Sequence, residues 1–179
     1  VPERYQRVGL KRCKSTNPEI KAQFVHEQMM ASHVLGLLER EATDIPIARP
    51  FAIGREEILY EWCADEEGNA HNLSTADVSA GDYLRCIGDA AYGLSYLHNN
   101  GIKYHDLSEE NIMVTRGRKA KVVDLGSARL YDEVVSGNDI FNQRYYDWRL
   151  IVQQELDRKA LDIADKYALG VMVRTFLQR

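Results

Sequence analysis

Asp106 and Asn111 stand five residues apart in the stretch YHDLSEENIMV, and Asp124 follows in VVDLG. No other feature constrains the fold of this chain so tightly. Two short apolar runs, 112–114 and 120–123, are joined by TRGRK and read as a β-hairpin. A hairpin returns the chain on itself, so Asn111 before it and Asp124 after it are expected to lie close in space. One amide oxygen and one carboxylate are hard ligands. They suit Mg²⁺, which takes few protein ligands and completes its shell with phosphate and water. Gly126 permits a sharp change of backbone direction after Asp124. Asp106 is held separately and is expected to face an incoming hydroxyl. Taken as a pair, Asp106 and Asn111 read as ordinary turn residues; Asp124-Leu125-Gly126 at this distance turns them into a site.

The segments before the hairpin supply a second constellation. Residues 4–13 read as a strand in which Val8 and Leu10 alternate with polar neighbours. In STNPE, Asn17 suits a helix N-cap, Pro18 the first helical position and Glu19 the positive end of the dipole. The helix that follows places Ile20, Phe24, Glu27, Ala31, Val34 and Leu38 on one face. Glu27 is the lone charge on that stripe, and a buried carboxylate requires a cationic partner. Apolar runs at 47–53 and 58–62, separated by GREE, read as an antiparallel pair.

The polar stretch CADEEGNAHNLST marks a boundary between residues 1–63 and 64–179. Ser79 and Asp82 form a capping-box start. The helix after them carries Leu84, Ile87, Ala91, Leu94 and Leu97 on one face, and HNNG stops it. Beyond the hairpin, the segment from SARLY to DWR reads as irregular. Residues 155–178 read as a helix with Tyr167, Val171 and Val173 among its buried positions. The whole is an α+β chain, first a small β-rich part and then a mainly helical one.

With 179 residues, 45% of them apolar, the chain is long enough for a sizeable core. Its net charge of −4 gives no general attraction to nucleic acid or anionic lipid, so neither is an expected partner. The basic cluster RGRKAK reads as a solvated hairpin. Three cysteines, Cys13, Cys63 and Cys86, are odd in number and lack a CxxC spacing. They point to a reducing, cytoplasmic location rather than a disulfide framework. No apolar run is long enough to span a membrane.

These residues together resemble the eukaryotic-type protein kinase family. YHDLSEEN is similar to its catalytic loop, VDLG to its metal-binding segment and VGLK to its lysine strand. Chance assembly of six specified residues at this spacing is on the order of 10⁻⁸ per window. The resemblance implies a two-lobed kinase-like fold and transfer of the γ-phosphoryl of ATP, with Mg²⁺, to a hydroxyl of a protein substrate, with Ser/Thr the expected type. By resemblance Lys11 contacts the α- and β-phosphates and pairs with Glu27, and Asp106 orients the substrate hydroxyl and accepts its proton. Asn111 and Asp124 hold the metal. Residues 60–63 form the adenine-binding hinge, through the Glu61 carbonyl and the Cys63 backbone, and Glu67 is a candidate for the ribose. Asp165 in DKYALGV is similar to the helix Asp that braces the catalytic loop.

The chain also departs from the family. Its twelve glycines include no G-x-G, so the Gly-rich loop is expected either outside this stretch or absent, and the last helices of the large lobe are not in this stretch. Tyr104 and His105 stand where the family carries His and Arg, Ser108 where it often carries Lys, and RYYDWR where it carries A-P-E. His105 reads equally as a structural or a regulatory histidine. Tyr145 and Tyr146 read as packing aromatics before phosphorylation sites. Two alternatives stay open on sequence: a non-catalytic kinase-like binding module, and a small-molecule kinase of the same fold.

Overall fold

The computed structural model describes residues 7–133, 143–146 and 158–178. A three-stranded antiparallel sheet comes first, made of β1 (Val8–Arg12), β2 (Pro50–Ile53) and β3 (Glu57–Glu61) in the order β1-β3-β2. Helix α1 (Pro18–Leu38) lies against it. Asn17 caps α1, its side chain accepting from the Glu19 N–H at 2.8 Å, with Pro18 in the first turn. Both positions are those the sequence predicts.

The alternation in β1 is real, but its apolar residues face outward. Val8 and Leu10 are exposed, Leu10 by 52%, while Gly9 and Lys11 turn toward a cavity between the sheet and the rest of the chain. The ionic partners of Lys11 fix that phase, and the apolar residues take the other face. In α1 the buried stripe is Phe24, Glu27, Met30, Ala31, Val34 and Leu38. Ile20, predicted to share it, is exposed, because it faces an open cavity rather than the sheet.

Helix α2 (Ala80–Asn99) is capped by Ser79, whose Oγ accepts from the Asp82 N–H at 3.1 Å and donates to the Asp82 carboxylate at 2.8 Å. It ends at Gly101, with φ +77°. Its buried face is Tyr83, Cys86, Ile87, Ala90, Gly93, Leu94 and Leu97. Leu84, predicted to be on that face, is exposed. Tyr83 takes the inward place one residue earlier, stacking on Phe176 at 4.0 Å between ring centroids. Gly93 is required by close approach: a Cβ there would lie 2.7 Å from the Pro46 carbonyl oxygen, which already accepts from the Val122 N–H at 3.0 Å. Gly93→Ala is therefore expected to cost about 1–3 kcal/mol by overpacking. Urea unfolding reads this, and an unchanged midpoint would contradict so close an approach.

The predicted hairpin is β6 (Ile112–Thr115) and β7 (Lys119–Val122), turning at Gly117 with φ +71°. Its basic residues are not all solvated, as the sequence suggested. Ala120 and Val122 enter the core, and Lys121 is itself only 8% exposed because it is drawn into an ionic contact with Glu61 and Asp44. Three two-residue strands were not legible in the sequence. β4 (His71–Asn72) joins the edge of β6, and β5 (Ile102–Lys103) pairs with β8 (Arg129–Leu130) inside the stretch read as irregular. The segment just before β2 is stitched to β7 by a parallel bridge between Ile47 and Val122 and by the Ala48 N–H donating to the Val122 carbonyl at 2.8 Å.

Helix α3 (Arg158–Leu177) begins where residues 155–157 leave the described part. Small residues, Ala164 and Ala168, and then Met172 face inward beside Asp165. Tyr167 was predicted to be buried but is exposed, since the inward stripe runs through the alanines; Val171 and Val173 are half-buried. One core runs from α1 through the strands and α2 to α3.

Candidate active site

Lys11 sits at the centre of the cleft. Its Nζ lies 2.8 Å from the Glu27 carboxylate and 2.9 Å from Asp124 Oδ1. Burial alone would lower the Lys11 pKa, but the two carboxylates outweigh it and raise it, so the ammonium stays charged. Burial pushes Glu27 up, with Lys11 pulling against that shift. The sequence argument that the lone buried Glu27 needs a cation is thus met by Lys11. Sequence reading missed that the Tyr60 hydroxyl also donates to Glu27, at 3.2 Å. It also missed His26, one residue from Glu27, whose Nε2 contacts the Ala128 carbonyl at 2.7 Å and ties α1 to the segment after Asp124.

Asp124 holds a left-handed backbone, φ +62°, and its Oδ1 also accepts from the Gly126 N–H at 3.0 Å. A Cβ at position 126 would sit 3.1 Å from that oxygen, which favours glycine there. On the other side of the site, Asn111 Nδ2 donates to the Asp106 carbonyl at 2.8 Å and to its carboxylate at 2.9 Å. The Val123 N–H donates to the Asn111 carbonyl at 3.0 Å, so the hairpin brings Asn111 beside Asp124 as expected. Asp106, Lys11 and Asp124 line one cavity of about 320 Å³.

The residues fit a divalent cation. Asn111 turns its amide nitrogen to Asp106, and Asp124 commits Oδ1 to Lys11 and Gly126. Among the described residues, this leaves Asn111 Oδ1 and Asp124 Oδ2 without a partner. These are the two hard oxygens that Mg²⁺ prefers, with room for water and phosphate to complete the shell.

Burial lifts the Asp106 carboxyl, and the Asp124 charge adds to this. The Asn111 hydrogen bond opposes both, and the result is a pKa of about 6. Such a carboxyl changes charge between about pH 5 and pH 7 rather than near pH 4. A carboxyl ¹³C titration of Asp106 is expected to show its midpoint near pH 6. A midpoint near pH 4 would contradict the burial of this group.

The loop carrying Asp106 is built around Asp165, which is fully buried. One carboxylate oxygen meets His98 Nε2 at 2.8 Å and the Tyr104 N–H at 3.0 Å. The other accepts from the His105 N–H at 2.9 Å and the Tyr146 hydroxyl at 3.0 Å. Tyr146 in turn accepts from the Leu107 N–H at 3.0 Å, and the Tyr104 hydroxyl donates to the Val123 carbonyl. The bracing role predicted for Asp165 is thus visible atom by atom, and Tyr146 is a packing residue. His105 is forced to φ +66° and buried, and among the described residues its ring nitrogens, like Ser108 Oγ, have no hydrogen-bond partner. Burial lowers its pKa, so it is neutral near pH 7. Residues 147–149, the rest of RYYDWR, lie outside the described part.

A second cavity of about 260 Å³ adjoins Lys11 and is lined by Gly9, Ala48, Tyr60, Met113 and Val123 among others. Glu61 and Cys63, the two residues expected at the hinge, are among its lining residues. Cys63 is buried, and burial followed by the Glu61 charge pushes its thiol up to about 12, which makes it an inert apolar wall. Glu67 is not brought into this cavity. It is exposed beside the tight turn closed by the Gly68 N–H on the Asp65 carbonyl, and Ala70 lines the wall instead. Among the described residues no helix is long and apolar enough to cross a membrane.

Comparison with known proteins agrees with this geometry. A protein-family model described as protein kinase domain matches residues 56–179. A Dictyostelium discoideum protein named a probable serine/threonine-protein kinase is 28% identical over 126 residues, covering 68% of this chain and 10% of its own length. Cyclin-dependent kinase F-3 of rice is 41% identical over 82 residues, covering 45% of this chain and 18% of its own. A second Dictyostelium discoideum protein with a probable serine/threonine-protein kinase name is 39% identical over 62 residues, 35% of this chain and 9% of its own. The matched stretches therefore span only 9% to 18% of these relatives' lengths.

Proposed function

The chain belongs to the protein kinase domain family, and on that premise we propose that it carries the catalytic centre of an ATP- and Mg²⁺-dependent kinase acting on protein hydroxyls. Residues 1–63 would form its small lobe and 64–179 its large one. The observation that carries this reading is Lys11, bound at once to Glu27 and Asp124 at the edge of the cavity that Asp106 lines. A binding module would not need all of these groups assembled.

In this reading the apolar cavity by residues 61–63 receives the adenine, and Lys11 directs its charge at the α- and β-phosphates. Asn111 and Asp124 would hold Mg²⁺, which when bound neutralises charge on the phosphates. Asp106 orients the substrate hydroxyl and accepts its proton, helped by a carboxyl whose pKa of about 6 makes it a better base than an ordinary Asp. Asn111 fixes that carboxylate in place. Serine/threonine specificity is proposed from the names of the relatives. An ATP-supplied intracellular location suits this chemistry and the three free cysteines.

Thermal melting with Mg²⁺-ATP tests the nucleotide site. At about 100 times Kd the expected stabilisation is about 2.7 kcal/mol. An unchanged melting temperature at millimolar Mg²⁺-ATP would contradict the reading.

A further inference from the structure

Behind the hinge lies a cavity of about 380 Å³, on the side away from Lys11, lined by Leu38, Asp44, Ile47, Arg49, Glu61 and Lys121 among others. Glu61 lines both this rear cavity and the proposed adenine cavity. Its carboxylate is committed to the rear. Lys121 Nζ lies 2.9 Å from it, and the Arg49 N–H donates to it at 3.2 Å. What Glu61 offers the adenine side is therefore its main chain.

Lys121 belongs to β7, in the hairpin that carries Asn111 and Asp124, while Glu61 ends β3 of the first sheet. The ammonium also bonds Asp44, after α1, at 2.8 Å. One nearly buried cation thus joins three segments: the loop after α1, the hinge strand and the metal-site hairpin. The two arms differ. Asp44 is 77% exposed and its contact is open to solvent screening, whereas Glu61 is 19% exposed. The Glu61 arm carries the coupling. Burial alone would lower the Lys121 pKa, but Glu61 and Asp44 raise it, so the cation persists at neutral pH.

We propose that Lys121 is a positioning residue for nucleotide binding: by clasping the Glu61 carboxylate from behind, it holds the hinge main chain at the spacing the adenine requires. The proposal rests on the kinase reading above. It deepens that reading by assigning control of the adenine edge to a residue that touches no nucleotide. Removing the charge leaves Glu61 partly buried without its cation. The carboxylate then turns toward water, and the hinge strand follows it.

The test uses Lys121→Met, which keeps the length and loses the charge, and Lys121→Arg, which keeps the charge. Hydrogen exchange is read separately at amides 60–64 and 104–111, and Kd for Mg²⁺-ATP is measured. Lys121→Met is expected to speed exchange at 60–64 about tenfold, leave 104–111 unchanged and weaken Mg²⁺-ATP about tenfold. Lys121→Arg is expected to stay near wild type in both, and adding Glu61→Gln to Lys121→Met to change little more. Unchanged exchange at 60–64 overturns the clasp, as does a uniform rise across the chain, which would mark a merely stabilising residue. Faster hinge exchange with unaltered Kd overturns the positioning role. If the wild type binds no Mg²⁺-ATP, the kinase reading fails and the positioning role with it, while the exchange data still decide whether the clasp exists.

Discussion

Replacing Asp165 by alanine is expected to lower the melting temperature by roughly 6–20 °C. The carboxylate is fully buried and satisfies His98 Nε2, two backbone N–H groups and the Tyr146 hydroxyl. Deleting it strands all four, at about 3–5 kcal/mol. That is a large part of the 5–15 kcal/mol typical of a whole domain. It also frees His105 from the contact that holds it at φ +66°, so the loop carrying Asp106 loses its shape. Asp165→Asn keeps the volume and part of the acceptor capacity and is expected to fall between the two.

The pH dependence of stability adds a second readout. Burial would raise the Asp165 pKa, but hydrogen bonds and the neighbouring histidines lower it to about 2, against 3.8 unperturbed. A carboxyl with a depressed folded pKa stabilises above the unfolded value and loses that contribution as the pH falls toward the folded one. Wild-type stability should therefore drop by about 2 kcal/mol between pH 4 and pH 2 from this group. The drop should be absent in Asp165→Ala. An alanine variant melting like wild type would mean that the loop is held by something else.

Asp124→Asn is expected to reduce phosphoryl transfer about 10²–10³-fold with little change in stability. Asparagine tolerates the left-handed backbone at this position, so the fold is not strained. What is lost is charge, both as the second partner of Lys11 and as one of two oxygens offered to Mg²⁺. Lys11 keeps Glu27, so nucleotide binding without metal should persist, while its enhancement by Mg²⁺ should fall sharply. A variant whose transfer and Mg²⁺ dependence both match wild type would remove Asp124 from the metal site. Comparing ATP binding with and without Mg²⁺ separates this from a general loss of affinity.

What the sequence made legible depended on local spacing. Asp106, Asn111 and Asp124 were found because a hairpin of fixed length brings them together, and Glu27 because a lone charge on an apolar stripe demands a partner. The errors came where a distant partner decides which way a residue faces. Ile20, Leu84 and Tyr167 are residues that periodicity could place on a helix but not against a neighbour, and each is exposed. Lys121 is the reverse case, a residue from a basic cluster buried because Glu61 and Asp44 wait for it. His98 and Tyr146 became visible as partners of Asp165 only once α2, α3 and the catalytic loop were placed together. Two-residue strands such as β5 and β8 have no periodicity to read. They exist because each finds the other across the fold.

The central claim is that this cleft transfers phosphate to a hydroxyl oriented by Asp106. The most direct measurement is incorporation of labelled γ-phosphate from Mg²⁺-ATP into a generic protein substrate, by the full-length protein and by its Asp106→Asn variant. Asparagine preserves the size of the side chain but cannot accept the proton. Wild type is expected to label the substrate, and the variant to lose about 10²–10⁴-fold in rate while keeping its stabilisation by Mg²⁺-ATP. Equal incorporation by the two proteins, or none by a wild type that binds Mg²⁺-ATP, would contradict the account.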